Sequence, residues 1–197
     1  MARLAIPTAQ ALALVMRNGA KLEAVAVNTH RHMAKHATSA EFRERCEAVL
    51  ADEIRHTQMQ HELADRLYDG PLPISEAIQT AARQSQRFND DPVWHLVALS
   101  LIERVFAARM KVFARYARNA GYRFMFAPLI DAAADEQRHV VLVNDMLRAL
   151  PDRQLAATKV EDAARWLSAI EATDRSGFIP TDHLIARMSD ALQGDLR

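Results

Sequence analysis

The chain has 197 residues, with acidic and basic side chains in equal number at 25 each and a mean hydropathy of −0.17. This length permits one domain with a sizeable core, and the balanced charge offers no general attraction to nucleic acid or to an anionic membrane surface. The single cysteine, Cys46, excludes an intramolecular disulfide framework and any site built from several thiolates.

The first two predicted helices form an antiparallel hairpin within an all-α fold, which the five glycines and abundant Ala, Leu, Arg and Glu favour. An apolar stripe at helical spacing predicts a helix from Thr8 to about His36, with Glu23 inside the stripe. The stretch 38–41 resembles a capping box and opens a second helix that continues to about Tyr68. The short connection places the two helices side by side.

A long crossover follows this hairpin. Glycine and proline between residues 69 and 73 break the helical pattern, and a modest helix is predicted from Ser75 to about Arg87. Asp91 as N-cap and Pro92 at the first helical position then begin a third long helix, which runs as far as the stop at Gly121.

A fourth long helix is predicted from about Pro128 to Leu150, and it completes a four-helix bundle of two hairpins joined by one crossover. Two further amphipathic helices, at about 152–171 and 181–193, are expected to pack on the bundle or on a partner subunit. The second arrangement would make a homodimer. We therefore divide the chain into a bundle at residues 1–150 and a C-terminal helical extension at residues 151–197.

The sequence offers no candidate for membrane attachment. No uninterrupted apolar run is long enough to span a bilayer. The apolar segment within residues 1–20 contains Pro7, Thr8 and Gln10 and continues towards Glu23, so we interpret it as a mature helix rather than a signal peptide. The expected location is the cytoplasm.

A pentapeptide of the form D-E-x-R-H occurs twice, at residues 52–56 and 135–139. On a helix, a Glu and the His three residues after it lie about 60° apart around the axis, so each copy can bind one metal ion from one face. A further Glu interrupts the apolar stripe of each remaining long helix, where an unpaired carboxylate is costly to bury unless a cation neutralises it. The ligands predicted in this way are Glu23, Glu53, His56, Glu103, Glu136 and His139.

The other charged residues of each pentapeptide are placed to support the ligands. Asp52 and Asp135 each lie four residues before a motif His, on the same side of the helix. Each could therefore accept a hydrogen bond from the non-ligating ring N–H of a ligand His, which would fix its tautomer. Arg55 and Arg138 lie three residues after those Asp residues, close enough to pair with them and keep them ionised.

This duplicated motif, with one upstream Glu for each copy, resembles that of the ferritin-like di-iron carboxylate proteins over about residues 8–150. The D-E-x-R-H form is similar to the oxygen-activating branch, which includes the bacterial multicomponent monooxygenase hydroxylases and the acyl-carrier-protein desaturases. The resemblance implies two iron ions, with Mn/Fe or di-Mn as alternatives, bridged by Glu53 and Glu136 as the catalytic carboxylates. The chain is much shorter than a hydroxylase α-subunit, and Ala107 stands one turn after Glu103 where those proteins commonly carry a threonine.

The function implied by this resemblance is that of a non-haem di-iron oxidoreductase, which activates O2 to hydroxylate, N-oxygenate or desaturate a small organic substrate. Electrons would come from an external reductase or ferredoxin, because the chain has no flavin or iron–sulfur motif. A ferritin-like ferroxidase or iron-storage protein is one alternative. A ferritin-like tRNA hydroxylase is the other, and the neutral net charge weighs against it.

Several residues around the ligands have two interpretations each. We interpret His30 and His95, about two turns from Glu23 and Glu103, as core histidines rather than extra ligands. Small residues near the ligands either leave room for substrate or allow close helix packing: Gly19, Ala107, Ala132 and Ala133. Basic residues of the third long helix form a solvated face or, as the alternative, a docking surface for a reductase or an acyl carrier protein: Arg104, Arg109, Lys111, Arg115 and Arg118.

Overall fold

The computed structural model describes residues 9–74, 76–84, 91–173 and 182–196, and every regular element within those ranges is a helix. This confirms the all-α prediction. The helices in chain order are α1 (Ala9–Lys35), α2 (Ala40–Leu67), α3 (Glu76–Gln84), α4 (Pro92–Asn119), a short 3-10 turn (Arg123–Met125), α5 (Phe126–Arg148), α6 (Arg153–Thr173) and α7 (Asp182–Leu196).

Three helix ends follow from local chemistry that the sequence indicates. Ser39 caps α2, because its Oγ accepts a hydrogen bond from the backbone N–H three residues later at 3.1 Å. Asp91 caps α4 in the same way through its Oδ1 at 2.9 Å, with Pro92 at the first helical position. Gly121 ends α4 with a φ of 95°, a left-handed conformation that glycine adopts without steric penalty.

The clearest difference from the predicted boundaries is at the start of α5. The helix begins at Phe126 rather than Pro128, after the 3-10 turn. Pro128 is the third residue of the helix, where a backbone N–H has no acceptor within the helix, so the missing donor removes no hydrogen bond. The predicted starts at Thr8, Ser75 and residue 181, and the predicted end of the crossover helix at Arg87, lie outside the described residues.

Two apolar clusters lie at opposite ends of the bundle and reveal the helix directions. The lower cluster includes the buried residues Leu12, Met16, Leu63, Phe113 and Leu129. The upper cluster includes Cys46, Leu96, Leu101, Val143 and Leu147. α1 and α5 run from the lower cluster to the upper one, whereas α2 and α4 run from the upper to the lower. The hairpins α1–α2 and α4–α5 are therefore antiparallel, and the crossover that contains α3 must return along the bundle.

The two C-terminal helices pack on the bundle chiefly through α4. Val160 and Leu167 of α6, with Ile185 and Leu192 of α7, belong to the upper cluster. The division of the chain at residue 150 stays a prediction. No helix in the described ranges is both long enough and apolar enough to cross a membrane.

The basic residues of α4 do not all form a solvated face. Arg104 pairs with Asp195 of α7 at 2.6 Å and is largely buried. The guanidinium of Arg109 lies over the rings of Phe106 and Phe113, with its central carbon 6.0 and 5.7 Å from their centroids. The guanidinium of Arg118 likewise lies over the ring of Phe126, 4.5 Å from its centroid. At least three of the five cations are therefore held against this chain's own side chains rather than free for a docking partner.

Candidate metal centre

All six predicted ligands lie in one buried layer between the upper and lower clusters. Each of the four long helices contributes at the level where its apolar stripe passes from one cluster to the other. The exposed fraction is at most 2% for every member of the set, which comprises Glu23, Glu53, His56, Glu103, Glu136 and His139. Ionisable side chains are rarely buried this completely unless they are paired or bind a metal.

The layer contains two overlapping groups of ligand atoms. In each group, one ligand atom from every member lies within 4.8 Å of the others. The first group is Glu23, Glu53, His56 and Glu136, and the second is Glu53, Glu103, Glu136 and His139. Because both groups contain Glu53 and Glu136, the layer can hold two cations with these carboxylates between them.

The two imidazoles are oriented by acidic residues from the facing helix. Nε2 of His56 lies 3.0 Å from Oδ2 of Asp135, and Nε2 of His139 lies 3.1 Å from Oδ2 of Asp52. An ionised carboxylate can only accept, so in the neutral ring Nε2 carries the proton and Nδ1 is left as the ligand atom. Each Asp therefore accepts a hydrogen bond from a motif His as expected, but from the His of the other pentapeptide rather than from the one four residues after it. Each hydrogen bond joins the two pentapeptides, because a His directed at the bundle interior places its outer nitrogen nearest the opposite helix.

Two arginines connect these acidic residues into a closed network at the surface. Arg55 pairs with Asp52 at 2.7 Å and with Asp135 at 2.5 Å, and Arg138 pairs with Asp135 and with Asp52, the latter at 3.6 Å. Burial alone would raise the pKa of both Asp residues, but hydrogen bonds from the facing His and from Arg55 lower it. The predicted pairing of each Arg with the Asp of its own pentapeptide is therefore present, and each Arg also bridges to the other helix.

The protonation of the ligands reflects crowding of like charges. Burial, with the neighbouring carboxylates, raises the pKa of Glu23 and of Glu103 well above their usual value of 4.5. Burial would lower the pKa of His139, but the carboxylates around it raise it. For Glu136, burial is outweighed by its neighbours Glu103 and His139, and its pKa is lowered. Without cations, the layer therefore holds protons on some of its members.

Several ligand atoms in this layer are buried without any hydrogen-bond partner among the described residues. They are both carboxylate oxygens of Glu53 and of Glu136, Oε2 of Glu103, and Nδ1 of His56 and His139. Buried polar atoms are almost always satisfied, and a binding site for an ion is one accepted reason for exceptions. Four carboxylates balance the charge of two divalent ions, so the donor set fits a dinuclear site.

The spacing of these atoms is also that of shared coordination. Nδ1 of His56 lies 3.2 Å from Oε1 of Glu136, and Nδ1 of His139 lies 3.3 Å from Oε2 of Glu136 and 3.4 Å from Oε1 of Glu53. Two ligands about 2.1 Å from one ion, at angles of about 90–110°, lie about 3.0–3.4 Å apart. The side chains could therefore bind cations with little rearrangement.

Gln60 contacts a ligand but did not emerge from the sequence motif. Its Nε2 donates a hydrogen bond to Oε1 of Glu23 at 2.6 Å, and the side chain is buried. A Cβ added to Gly19 would lie 1.8 Å from Oε1 of Gln60, so Gly19 leaves the space that this amide fills. The sequence could have indicated Gln60 by its spacing, because it follows Glu53 by two helical turns on the same face of the helix.

The structure also places the two histidines that the sequence analysis interpreted as core residues near the ligands. His30 is buried and its Nδ1–H donates to the carbonyl oxygen of Ala26 at 3.1 Å, and burial lowers its pKa. It belongs to neither ligand group, in agreement with its interpretation as a core residue. His95 is also buried and lines a cavity beside the ligand layer.

That cavity is almost wholly apolar and has a volume of about 50 Å³. Glu23, Glu53 and Glu103 form its wall on the side of the ligand layer. The small residues Ala26 and Ala98 line it, whereas Gly19, Ala107, Ala132 and Ala133, for which substrate room and close helix packing were both open, do not. Further lining residues come from α1, α4 and α6, among them Leu22, Leu99, Phe106, Trp166 and Leu167.

Comparison of this chain with protein-family models, with curated proteins and with solved structures found no match. The resemblance drawn from the repeated pentapeptide therefore stays an expectation. What the site can do has to be argued from its own geometry and chemistry.

Proposed function

We propose that this protein is a ferritin-like, non-haem di-iron oxidoreductase that uses O2 to hydroxylate, N-oxygenate or desaturate a small organic substrate. The proposal is carried by the two buried ligand groups that share Glu53 and Glu136, in which every member except Glu23 has a ligand atom without a hydrogen-bond partner among the described residues. A Glu from each of two helices, with a Glu-x-x-His from each of the other two, is the arrangement that builds dinuclear carboxylate centres in helical bundles.

The donor set supports iron, with manganese as the alternative. Each group offers three carboxylates and one imidazole. Carboxylates suit Mn and Fe, imidazole suits Fe, and neither metal requires the closed tetrahedral set of a structural zinc site. An ion that accepts up to six ligands would keep positions open beyond the four protein atoms.

Two iron ions bound there would supply the reducing electrons for O2 and the oxidising power that the substrate needs. Glu53 and Glu136 would hold the ions at one separation, while Asp52 and Asp135 keep the imidazole Nδ1 atoms directed at them. The apolar cavity would exclude water from the reacting carbon.

The electron balance requires a partner. Insertion of one oxygen atom into a C–H bond releases the other atom of O2 as water, which consumes an electron pair and two protons from outside the substrate. This chain has one cysteine, which is buried, and an iron–sulfur cluster needs several thiolates. A reductase or ferredoxin would therefore deliver the electrons.

The first test combines iron analysis with oxygen uptake. Anaerobic titration with Fe(II) should saturate at about two ions per chain, and O2 consumption should then continue for as long as an excess of chemical reductant is supplied. If Fe(II) added beyond this ratio is oxidised and retained as a growing number of ions per chain, the protein stores iron. Failure to bind iron at all would contradict both functions.

A matched pair of variants assigns the activity to the layer. Glu136→Ala removes a carboxylate shared by both groups, and we expect it to abolish reductant-dependent O2 uptake. Asp131→Ala changes an exposed acidic residue on the same helix and should behave as wild type. Full activity in Glu136→Ala would refute the assignment.

A further inference from the structure

We propose that the apolar cavity beside the ligand layer takes an unbranched aliphatic chain end-on, and that Trp166 of α6 sets its width. This inference rests on the proposed function, because it names the substrate class for the same centre.

The chemistry of the cavity wall favours a hydrocarbon chain. Between its ends the cavity is lined by aliphatic and aromatic side chains, including Leu99, Ile102 and Phe106. Polar side chains lie at the two ends, with the carboxylates of the ligand layer at one and Thr29 and His95 at the other. A polar group in the middle of a bound molecule would find few partners and would be costly to desolvate, so the segment that crosses the cavity should be apolar.

Its dimensions are those of a slot. Thr29 follows Glu23 by six residues on α1, and His95 precedes Glu103 by eight residues on α4. With a rise of about 1.5 Å per residue, these pairs span about 9 and 12 Å along the helices. A cavity of about 50 Å³ over that length is narrow. This volume is about a third of the roughly 150 Å³ cavity that holds benzene in a protein core, so only the end of a molecule can enter it, and an unbranched chain presents a narrower end than a ring.

Trp166 is held rigidly as one wall of the slot. Its ring packs edge-on against Trp94, with centroids 5.4 Å apart and planes at 77°. Trp94 in turn donates from Nε1 to Oδ2 of Asp162 on α6 at 2.8 Å. Lys159 of α6 also pairs with Asp91 at the start of α4 at 2.7 Å. These contacts fix α6 against α4, so packing rather than a mobile loop determines the width.

The test uses two alcohols that contain the same number of carbons but differ in width. Isothermal titration calorimetry on the purified protein should show saturable binding of 1-hexanol, with cyclohexanol at least about tenfold weaker, since one misplaced methylene in an apolar pocket changes affinity by about 10–200-fold. Trp166→Ala should reduce that preference to less than about threefold. Arg165→Ala, which alters the exposed neighbour on α6, should preserve it.

A second variant acts in the opposite direction. Ala98→Leu adds bulk to the slot and should abolish binding of 1-hexanol, while circular dichroism shows that the helices are retained. Trp emission gives a local readout, because the chain has two tryptophans and Trp94→Phe leaves Trp166 alone. Because Trp94 also supports the Trp166 wall, the emission titration of this variant is compared with calorimetry on the same variant, and the two should give one affinity for 1-hexanol.

Three results would contradict the proposal that the cavity is a slot for an aliphatic chain: no binding of 1-hexanol, equal binding of the two alcohols by the wild type, or a preference unchanged in Trp166→Ala. None of these measurements involves iron or turnover. A protein that discriminates between the alcohols but fails to bind iron would therefore contradict the proposed function alone. A protein that binds iron and consumes O2 but does not discriminate would contradict the slot alone.

Discussion

The two halves of the candidate metal centre contain the same residue types at the same spacing, yet their outer carboxylates are held differently. In the first half, Gln60 donates a hydrogen bond to Glu23 at 2.6 Å. In the second half, the position seven residues after the motif Glu is Val143, which is buried in the upper cluster, and Oε2 of Glu103 has no hydrogen-bond partner among the described residues. A duplicated sequence motif therefore produces a site whose halves differ in the hydrogen bonding of their outer carboxylates.

This difference assigns separate roles to the two outer ligands. A carboxylate fixed by a neutral amide keeps one orientation, whereas Oε2 of Glu103, which lies 3.5 Å from Nδ1 of His139 and accepts no amide hydrogen bond, can turn towards or away from an ion. We expect the ion beside Glu23 to be the more firmly bound and the ion beside Glu103 to be the one whose coordination changes.

The largest effect should come from removing what the halves share. Glu53→Ala deletes a carboxylate that belongs to both ligand groups, so we expect iron content to fall from about two ions per chain to almost none. Glu103→Ala deletes a member of one group only and should leave about one ion. Iron analysis after gel filtration measures both, with Glu62→Ala as an exposed control on the same helix. Equal losses in Glu53→Ala and Glu103→Ala would show that the groups do not share ligands.

The next-largest effect tests whether each Asp supports the His of the other pentapeptide. Asp135→Asn weakens the acceptor of His56, and removal of such a supporting group typically lowers metal affinity about 10–100-fold. In a His56→Ala background the same change should have little further effect, whereas in His139→Ala it should retain its full effect. Competition titrations with a coloured chelator provide the affinities. The reverse pattern would mean that each Asp supports the His of its own helix.

The fold was predictable from the sequence because its boundaries are encoded locally. The Asp91-Pro92 start and the Gly121 stop of α4 each act within one turn of the chain, and the structure places them as expected. Helix α5 begins two residues before its predicted start at about Pro128, because the N–H of the third helical residue also has no acceptor within the helix and that position therefore accepts proline.

The site was predictable only as far as helical periodicity extends. Spacing indicates which face of a helix carries Glu53 and His56, but not which side chain of the facing helix each will meet. The pairing of His56 with Asp135, the amide of Gln60 and the wall formed by Trp166 all depend on the register between helices. That register is set by packing of the apolar clusters as a whole, which no short motif contains.

A third prediction concerns the excess of negative charge, which both halves of the site have in common. The pKa values of Glu23 and Glu103 are raised, chiefly by burial, so the folded, metal-free protein keeps protons that the unfolded chain has released. Its free energy of unfolding should therefore fall as pH rises above about 4.5, by up to about 1.4 kcal/mol per pH unit for each such proton. Urea titrations in the presence of a chelator measure this slope.

Two variants test whether Glu23 and Glu103 cause this dependence of the free energy of unfolding on pH. Glu23→Gln and Glu103→Gln each remove one titrating carboxyl, so each should reduce the slope, and their effects should be similar despite the different contacts. Iron should reverse the trend, because loading displaces protons and is favoured by higher pH. A slope that neither substitution changes would place the responsible groups elsewhere in the chain.

The smallest effect should come from erasing the difference between the halves. Gln60→Val copies the residue found at the equivalent position of the second half and removes the hydrogen bond to Glu23. We expect affinity for the more firmly bound ion to fall about three- to tenfold, since a net hydrogen bond contributes about 0.5–1.5 kcal/mol. Stepwise Fe(II) titrations should then show two similar affinities in place of two distinct ones.

Gly19 offers an independent route to the same contact. A Cβ in Gly19→Ala would lie 1.8 Å from Oε1 of Gln60, so the amide must move, and overpacking of this kind lowers stability by about 1–3 kcal/mol. The loss should largely vanish in Gln60→Val, where the shorter side chain leaves room. Gly194→Ala is the matched control: that glycine is also helical, its added Cβ meets nothing within 4 Å, and the change should stabilise by up to about 1 kcal/mol. If Gly19→Ala is equally destabilising with and without Gln60, the glycine serves helix packing and the asymmetry of the centre has another source.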